Sequence, residues 1–278
     1  MPPVFLHLNP SLRPNEPLII AHRGASALAP ENTLAAFARA FKDDADGLEL
    51  DVHLARDGVP VVIHDSNLGR TGPSMGDVAE ITSKQLSQVD VGGWFNRAKP
   101  ALAREEYSFQ HVPTFAEVIQ LVKTIPTTAR RPKIIYVEMK TTRDSSVTRN
   151  LAQAVIRLVK DHDLCKQAII ISFDLKAVTL AKQINSSIRT GALFHPRTVV
   201  SQRHGKRLMI TSALDCGTDE ILLHRLFASR ATVELAVENN LLPVVWTVDH
   251  SAWMRRAKSW GIHALITNDP AKLKAATR

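Results

Sequence analysis

Short apolar runs alternate with helix-period segments along almost the whole of this 278-residue chain. The apolar runs fall at 18–22, 47–53, 59–64, 134–140, 168–173, 190–194, 220–224, 243–248 and 264–267. Helical periodicity fills most of the gaps, over 33–41, 114–122, 147–160, 175–185, 229–239 and 251–260. In the first of these, Leu34, Phe37, Ala38 and Phe41 fall at i, i+3, i+4 and i+7, with Asn32 or Thr33 as N-cap. Phe115, Val118, Ile119 and Val122 repeat that spacing, and Thr114 with Glu117 makes a capping box. Strands and helices alternating at this length predict a parallel sheet with crossover helices. One junction differs: Asp57-Gly58 joins 47–53 to 59–64 with no room for a helix, which is a hairpin signal. The length fits two small domains or one α/β barrel of about 250 residues.

Residues 65–112 break the rhythm. They hold five glycines, few long apolar runs and a loop-like tract from Trp94 to His111. We read about 66–112 as a small insertion between early strands. No Cys-x-x-Cys pair exists and there are two cysteines, Cys165 and Cys216, so neither a zinc finger nor a redox motif is supported. The formal charge is +8, but the basic residues are scattered, with only short runs at 129–133 and 203–207. Aromatics make up 5%, thin for stacking on bases. No stretch reaches the ~18 apolar residues of a membrane span. The segment Met1 to Pro17 has no apolar run and does not read as a signal peptide, so a cytoplasmic location is expected.

Two apolar strands carry charge. Glu49, Asp51 and His53 share one face of 48–54, while Leu48, Leu50, Val52 and Leu54 share the other; Glu138 and Lys140 share a face of 134–140. Such groups cost several kcal/mol inside a fold unless paired or metal-bound. Folding the chain back at Asp57-Gly58 brings His64 close to Glu49 and Asp51. Three carboxylates from two strands form a hard oxygen site suited to Mg²⁺ or Ca²⁺. The alternative is a structural Glu–Lys or Asp–Arg pair, although two carboxylates two apart on one strand repel without a cation. His22 and His64 each end an apolar strand, and an imidazole with a pKa near ~6.5 exchanges protons at neutral pH. Two of them beside a carboxylate cluster suggest a general acid/base pair. Arg23 offers a planar fork for phosphate, or a surface ion pair. Lys140 neutralises a phosphate oxygen or pairs with carboxylates near Glu138. Phe173, Phe194 and Trp246 lie at or near strand ends, where they either flank a pocket or pack in the core.

From about 18 to 271 the chain resembles the glycerophosphodiester phosphodiesterase family. The resemblance is carried by His22-Arg23-Gly24, Pro30-Glu31-Asn32-Thr33, Glu49-Leu50-Asp51-Val52, Arg56-Asp57-Gly58 and Val61-Val62-Ile63-His64-Asp65. It continues through Leu68-Gly69-Arg70-Thr71, Gly93-Trp94-Phe95, Val112-Pro113-Thr114-Phe115, Glu138-Met139-Lys140, Ser172-Phe173, Trp246-Thr247-Val248 and Ile266-Thr267-Asn268-Asp269-Pro270. The resemblance implies a TIM-type (β/α)8 barrel as one domain, with 66–112 as a small inserted subdomain over the barrel mouth. It implies a divalent cation, Mg²⁺ or Ca²⁺, and cleavage of a small-molecule glycerophosphodiester to glycerol phosphate and an alcohol. By motif, His22 and His64 become the acid/base pair, Glu49, Asp51 and Glu138 metal ligands, and Arg23 and Lys140 phosphate contacts. Phe173 and Trp246 become pocket walls. Two positions depart from the pattern: Asp249 stands where the family often has Asn, and Asn268 where it often has Asp. The stretch 96–110 matches poorly. A phospholipase D-like enzyme acting on lysophospholipids is a rival within the same fold. Nucleic-acid binding and a catalytically inactive barrel are weaker rivals; neither nucleic acid nor stable membrane insertion is expected.

Overall fold

A computed structural model describes residues 16–73, 75–125, 133–195 and 205–276. The N-terminal reading before Glu16, residues 129–132 of one basic run and 203–204 of the other lie outside the described residues. Nine strands form one sheet: β1 (Leu18–His22), β2 (Gly47–Leu54), β3 (Pro60–Val62), β4 (Ile134–Met139), β5 (Ala168–Ser172), β6 (Arg189–Leu193), β7 (Glu220–His224), β8 (Leu242–Trp246) and β9 (Ala264–Thr267). Eight of them pair in parallel, in the order β1-β2-β4-β5-β6-β7-β8-β9 and back to β1, and so close a TIM-type barrel. β3 runs antiparallel to β2 through Val52↔Val62 and stays outside the ring. The Asp57-Gly58 turn therefore forms the expected hairpin, with a paired strand shorter than the apolar run.

The helices sit where the apolar stripes place them. Thr33, not Asn32, caps Leu34–Lys42, accepting from the Ala36 amide. Thr114 and Glu117 form the expected capping box at the start of Phe115–Thr124. Replacing such a cap by Ala costs about 1 kcal/mol. Further helices follow at Ser145–Asp161, Leu175–Ile184, Arg230–Glu238 and Ala252–Trp260. Gly205–Asp215 is a further helix that the periodicity did not reveal, because its buried residues Met209, Ile210 and Ala213 make only a narrow stripe.

Period-two alternation gives each strand two duties. Outward residues such as Leu48, Leu50, Val137 and Ile170 meet the helices. Inward residues fill the barrel: Leu18, Ile20, Tyr136, Ile169, Ile171, Leu193, Leu222, Val244 and Ile266 form one interior cluster. The inward set turns polar toward the strand C-termini. Phe194, outward by the same rule, packs with the outer cluster rather than in the barrel.

Between β3 and β4 the chain makes turns and short helices at Val78–Glu80, Ser83–Leu86, Gly93–Ala98, Pro100–Leu102 and Glu105–Phe109. Leu68, Val78, Leu86, Val91 and Val112 bury against Ala55, Val61 and Ile63 of the hairpin. Phe95 and Tyr107 bury against Ala29 and Ala36. Lys99 Nζ and the Tyr107 hydroxyl donate to the carbonyls of Ala27 and Leu28, in the loop that leaves the C-terminal end of β1. The tract is thus fastened to the end of the barrel that carries the polar inward residues.

Candidate active site

The turn after β1 sets the first residues of the site. Arg23 has φ 55° and Gly24 φ 80°, both left-handed. Gly24 suits this turn twice over, because a Cβ there would lie 2.6 Å from the carbonyl carbon of Ala36. The turn aims the Arg23 amide at Glu49, whose carbonyl accepts at 2.8 Å and whose carboxylate accepts at 3.1 Å. A non-glycine residue in this conformation is strained by about 1–3 kcal/mol, a cost borne where surroundings over-determine it. Asn32, also left-handed at φ 55°, donates from Nδ2 to Asp51 at 2.8 Å.

Parallel register brings the acids together. His22 lies opposite Glu49, and Asp51 opposite Glu138. One oxygen from each of Glu49, Asp51 and Glu138 lies within 4.8 Å of the others, and all three residues are buried. Arg23 Nε is 3.1 Å from Asp51 Oδ2, and Lys140 Nζ is 2.8 Å from Asp51 Oδ1 while also bonding Glu138. Burial pushes Asp51 up, but Lys140, Arg23 and His64 outweigh it and hold its carboxyl well below the usual carboxylate range. Glu49 goes the other way: burial, then Asp51 and Glu138, raise it well above its ordinary value. Burial lifts Glu138 to about 7, with Lys140 opposing and Asp51 adding. Three buried carboxylates face two cations, and two of the three resist ionisation. Hard oxygen donors short of positive charge fit Mg²⁺ or Ca²⁺, with Glu49, Asp51 and Glu138 as the residues that would hold it.

The two histidines reach the same space from β1 and from the end of the hairpin. His22 Nδ1 lies 2.7 Å from Asn268 Oδ1, and its Nε2 lies 3.9 Å from Glu49. Burial, then the Arg23 charge, lowers His22 to about 4. His64 Nδ1 lies 2.6 Å from Asp65 Oδ1. Asp65 accepts from Arg70 Nε at 2.6 Å, Arg70 forks onto Glu31 at 2.7 and 2.9 Å, and Glu31 accepts from Arg23 at 2.9 Å. Burial lowers His64, with Lys140 and Arg23 helping and Asp51 and Asp65 opposing. His53, on the acid face of β2, lies 3.1 Å from the His64 carbonyl through its Nε2 and so supports the hairpin end.

A cavity of about 190 Å³ opens here, lined by His22, Arg23, Glu49, His64, Glu138, Lys140, Phe173 and Trp246, with Ile171, Leu193, His195 and Ile266. The cavity thus gathers the acids, cations, histidines and pocket aromatics singled out from the sequence, except Asp51, which lies buried beneath. Phe173 and Trp246 meet edge to face at 5.6 Å, and His195 and His224 extend this aromatic wall. Asn268, Asp65, Arg70 and Glu31 all lie within the motifs above, where spacing alone gives them no role. His195 and His224 end or follow apolar runs as His22 does, which is the signal that marks them in the sequence.

A family model of the glycerophosphoryl diester phosphodiesterase family matches residues 22–272. A glycerophosphodiester phosphodiesterase of Bacillus subtilis is 30% identical over 93% of this chain and 86% of its own length. One from Caldanaerobacter subterraneus is 30% identical over 92% and 96%. Among solved structures, an Oleispira antarctica phosphodiesterase in complex with the product sn-glycerol-3-phosphate superimposes with a TM-score of 0.79, at 24% identity, covering 94% of this chain and 97% of that one. A glycerophosphodiester phosphodiesterase from Agrobacterium tumefaciens gives 0.73 at 23% identity over 93% and 99%. The barrel, its acid cluster and the match along nearly its whole length agree: this chain belongs to the glycerophosphoryl diester phosphodiesterase family.

Proposed function

We propose that the protein hydrolyses glycerophosphodiesters to glycerol phosphate and a free alcohol in the cavity at the C-terminal end of the barrel. The observation that carries this reading is one cluster of three buried carboxylates, two cations and two histidines, all of which except Asp51 line one cavity. Glu49, Asp51 and Glu138 would hold a divalent cation, which would supply Lewis-acid chemistry to the phosphoryl oxygens. Arg23 and Lys140, on the cavity wall, add positive potential for the same oxygens. His22, with an amide oxygen at Nδ1, leaves Nε2 to take the proton from the attacking hydroxyl, of water or of the glycerol itself. As the new O–P bond forms, the bond from phosphorus to the alcohol oxygen breaks. His64 gives that oxygen its proton, since the Asp65 carboxylate at Nδ1 favours its charged form more than an amide does. Where the glycerol hydroxyl attacks, water then opens the cyclic phosphate: water loses its proton to His64 as its O–P bond forms, and the hydroxyl oxygen leaves phosphorus and takes its proton back from His22. Phe173 and Trp246 offer an apolar wall to the carbon skeleton.

The test is hydrolysis of glycerophosphocholine, glycerophosphoethanolamine, glycerophosphoinositol and a lysophospholipid, with and without chelator, identifying the alcohol released. Cation-dependent release of the head-group alcohol from the soluble diesters supports the proposal. Turnover of the lysolipid alone would move the protein to the phospholipase D-like reading, and no turnover of any of them would reject both.

A further inference from the structure

The amide oxygen at His22 Nδ1 belongs to Asn268, and a second side chain, Asp249, fixes which way that amide faces. Asn268 follows β9 and contributes Oδ1 to His22 Nδ1 at 2.7 Å. Its other face meets Asp249, which follows β8: Asn268 Nδ2 donates to Asp249 Oδ2 at 2.8 Å. Asp249 Oδ1 accepts from the Asn268 backbone amide at 2.8 Å and from the Thr267 hydroxyl at 3.0 Å. Ser26 Oγ lies 3.0 Å from Asn268 Oδ1, on the same side as His22.

An ionised carboxylate only accepts, so the group that Asp249 faces on Asn268 must be the amide NH₂. That turns Oδ1, which also only accepts, toward the imidazole. In neutral His22 the proton then sits on Nδ1, and Nε2 is left bare on the cavity side, toward Glu49. Asp249 and Asn268 are also the two positions where the chain departs from the pattern it resembles: acid and amide stand exchanged, and the structure shows them bonded to each other.

We propose that Asp249 and Asn268 form a positioning pair that locks neutral His22 in its Nδ1-protonated form, with Nε2 free to accept a proton. The inference rests on the assignment of His22 as proton acceptor, and it reaches two residues that do not line the cavity. It predicts that D249N, a nearly isosteric change, inverts the system. The amide introduced by D249N keeps its oxygen on the Asn268 and Thr267 donors and presents NH₂ where the carboxylate Oδ2 was. Asn268 flips to receive it, its own NH₂ faces His22, and the proton moves to Nε2. The double variant D249N/N268D restores an acceptor toward Nδ1 while keeping every hydrogen bond of the relay.

The experiment pairs ¹⁵N-edited NMR of His22, assigned with H22Q, with steady-state kinetics on glycerophosphocholine at neutral pH. Wild type should show the proton on Nδ1. D249N should show it on Nε2 and lose about 10²–10⁴-fold in kcat, the range for a lost proton transfer or a wrong tautomer, with KM nearly unchanged. D249N/N268D should return the Nδ1 proton and recover kcat to within about tenfold of wild type, the tautomer being what was lost. A wild-type His22 protonated on Nε2 overturns the proposal, and so does D249N with unchanged tautomer or unchanged kcat. If D249N does not fold, the double variant decides alone: a folded double variant with the other tautomer or without turnover rejects the pair. Failure of the functional reading looks different, since wild type would then hydrolyse no diester whatever its His22 tautomer.

Discussion

Glu138 and Glu220 are both buried inside the barrel, and burial lifts each to about 7. They sit at opposite ends. Glu220 begins β7, at the N-terminal end, where the Tyr136 hydroxyl donates to one oxygen at 2.8 Å and Arg189 lies 3.4 Å from the other. One acid there meets one hydroxyl and one guanidinium, with apolar neighbours above. Glu138 stands one residue before the end of β4 among two more carboxylates, two cations, two histidines and a cavity. A buried, shifted acid is therefore not in itself a site. What separates the two ends is closure: the lower acid has its partners within the fold, whereas the upper cluster sets three carboxylates against two cations and opens onto space.

Experiments can be set against that contrast in order of expected effect. Chelation should abolish turnover and leave the unfolding midpoint almost unchanged, because the ligands sit on strands held by a large independent core. Full activity in excess chelator would remove the metal reading of Glu49, Asp51 and Glu138. Next, H22A or H64A should lower kcat about 10²–10⁴-fold with little change in thermal stability. A variant that keeps near-normal kcat reduces that histidine to a structural role, and the upper cluster would then resemble the lower. R70A should be milder, about 10–100-fold in kcat, the usual loss when a supporting residue releases its partner. Here it frees both Asp65 and Glu31. Equal loss in R70A and R70K would point to the fork itself, as Lys cannot reproduce two parallel bonds.

At the lower end turnover should not respond at all. E220Q should retain kcat and change only the pH dependence of stability. The folded Glu220 holds its proton up to about 7 against an ordinary 4.5, so the folded chain binds that proton more tightly than the unfolded one. Its contribution is present below pH 4.5 and is lost as pH rises toward 7. In wild type this opposes folding across that window by about 1–3 kcal/mol. Urea midpoints measured along the window should show the slope in wild type and a flatter line in E220Q. An identical slope in both would show that Arg189 and Tyr136 already satisfy the ionised acid.

Much of this contrast is legible in the sequence. Period two puts Glu49 and Asp51 on one face of β2, and a strand that is otherwise Leu and Val makes two acids conspicuous. Glu220 sends no such signal, since an acid at the first residue of a strand reads as a boundary; only ring closure shows it enclosed by β4 and β6. Asn268 and Asp249 are visible as departures from a pattern, but their bonding depends on two loops after β8 and β9 meeting behind β1. Local spacing cannot give that. The helix at Gly205–Asp215 escapes for a different reason: its apolar stripe, Met209, Ile210 and Ala213, is narrow. The intervening tract 65–112 breaks the rhythm, yet its burial of Phe95 and Tyr107 on Ala29 and Ala36 cannot be read from spacing. We predict from that burial that F95A costs about 3–5 kcal/mol of stability, measurable by urea unfolding.

The ring closes between the first strand and the last. β1 pairs with β9 through Ile20↔Ile266, and His22 Nδ1 is hydrogen-bonded to a residue 246 positions later in the chain. A ribosome lays down both histidines and all three acids long before it reaches Asn268. During synthesis the growing chain thus carries the two histidines and three acids of the candidate site without the amide that meets the first histidine. Assembly of the site thus waits for ring closure: the strand that joins the circle is also the one that brings the Asn268 amide to His22.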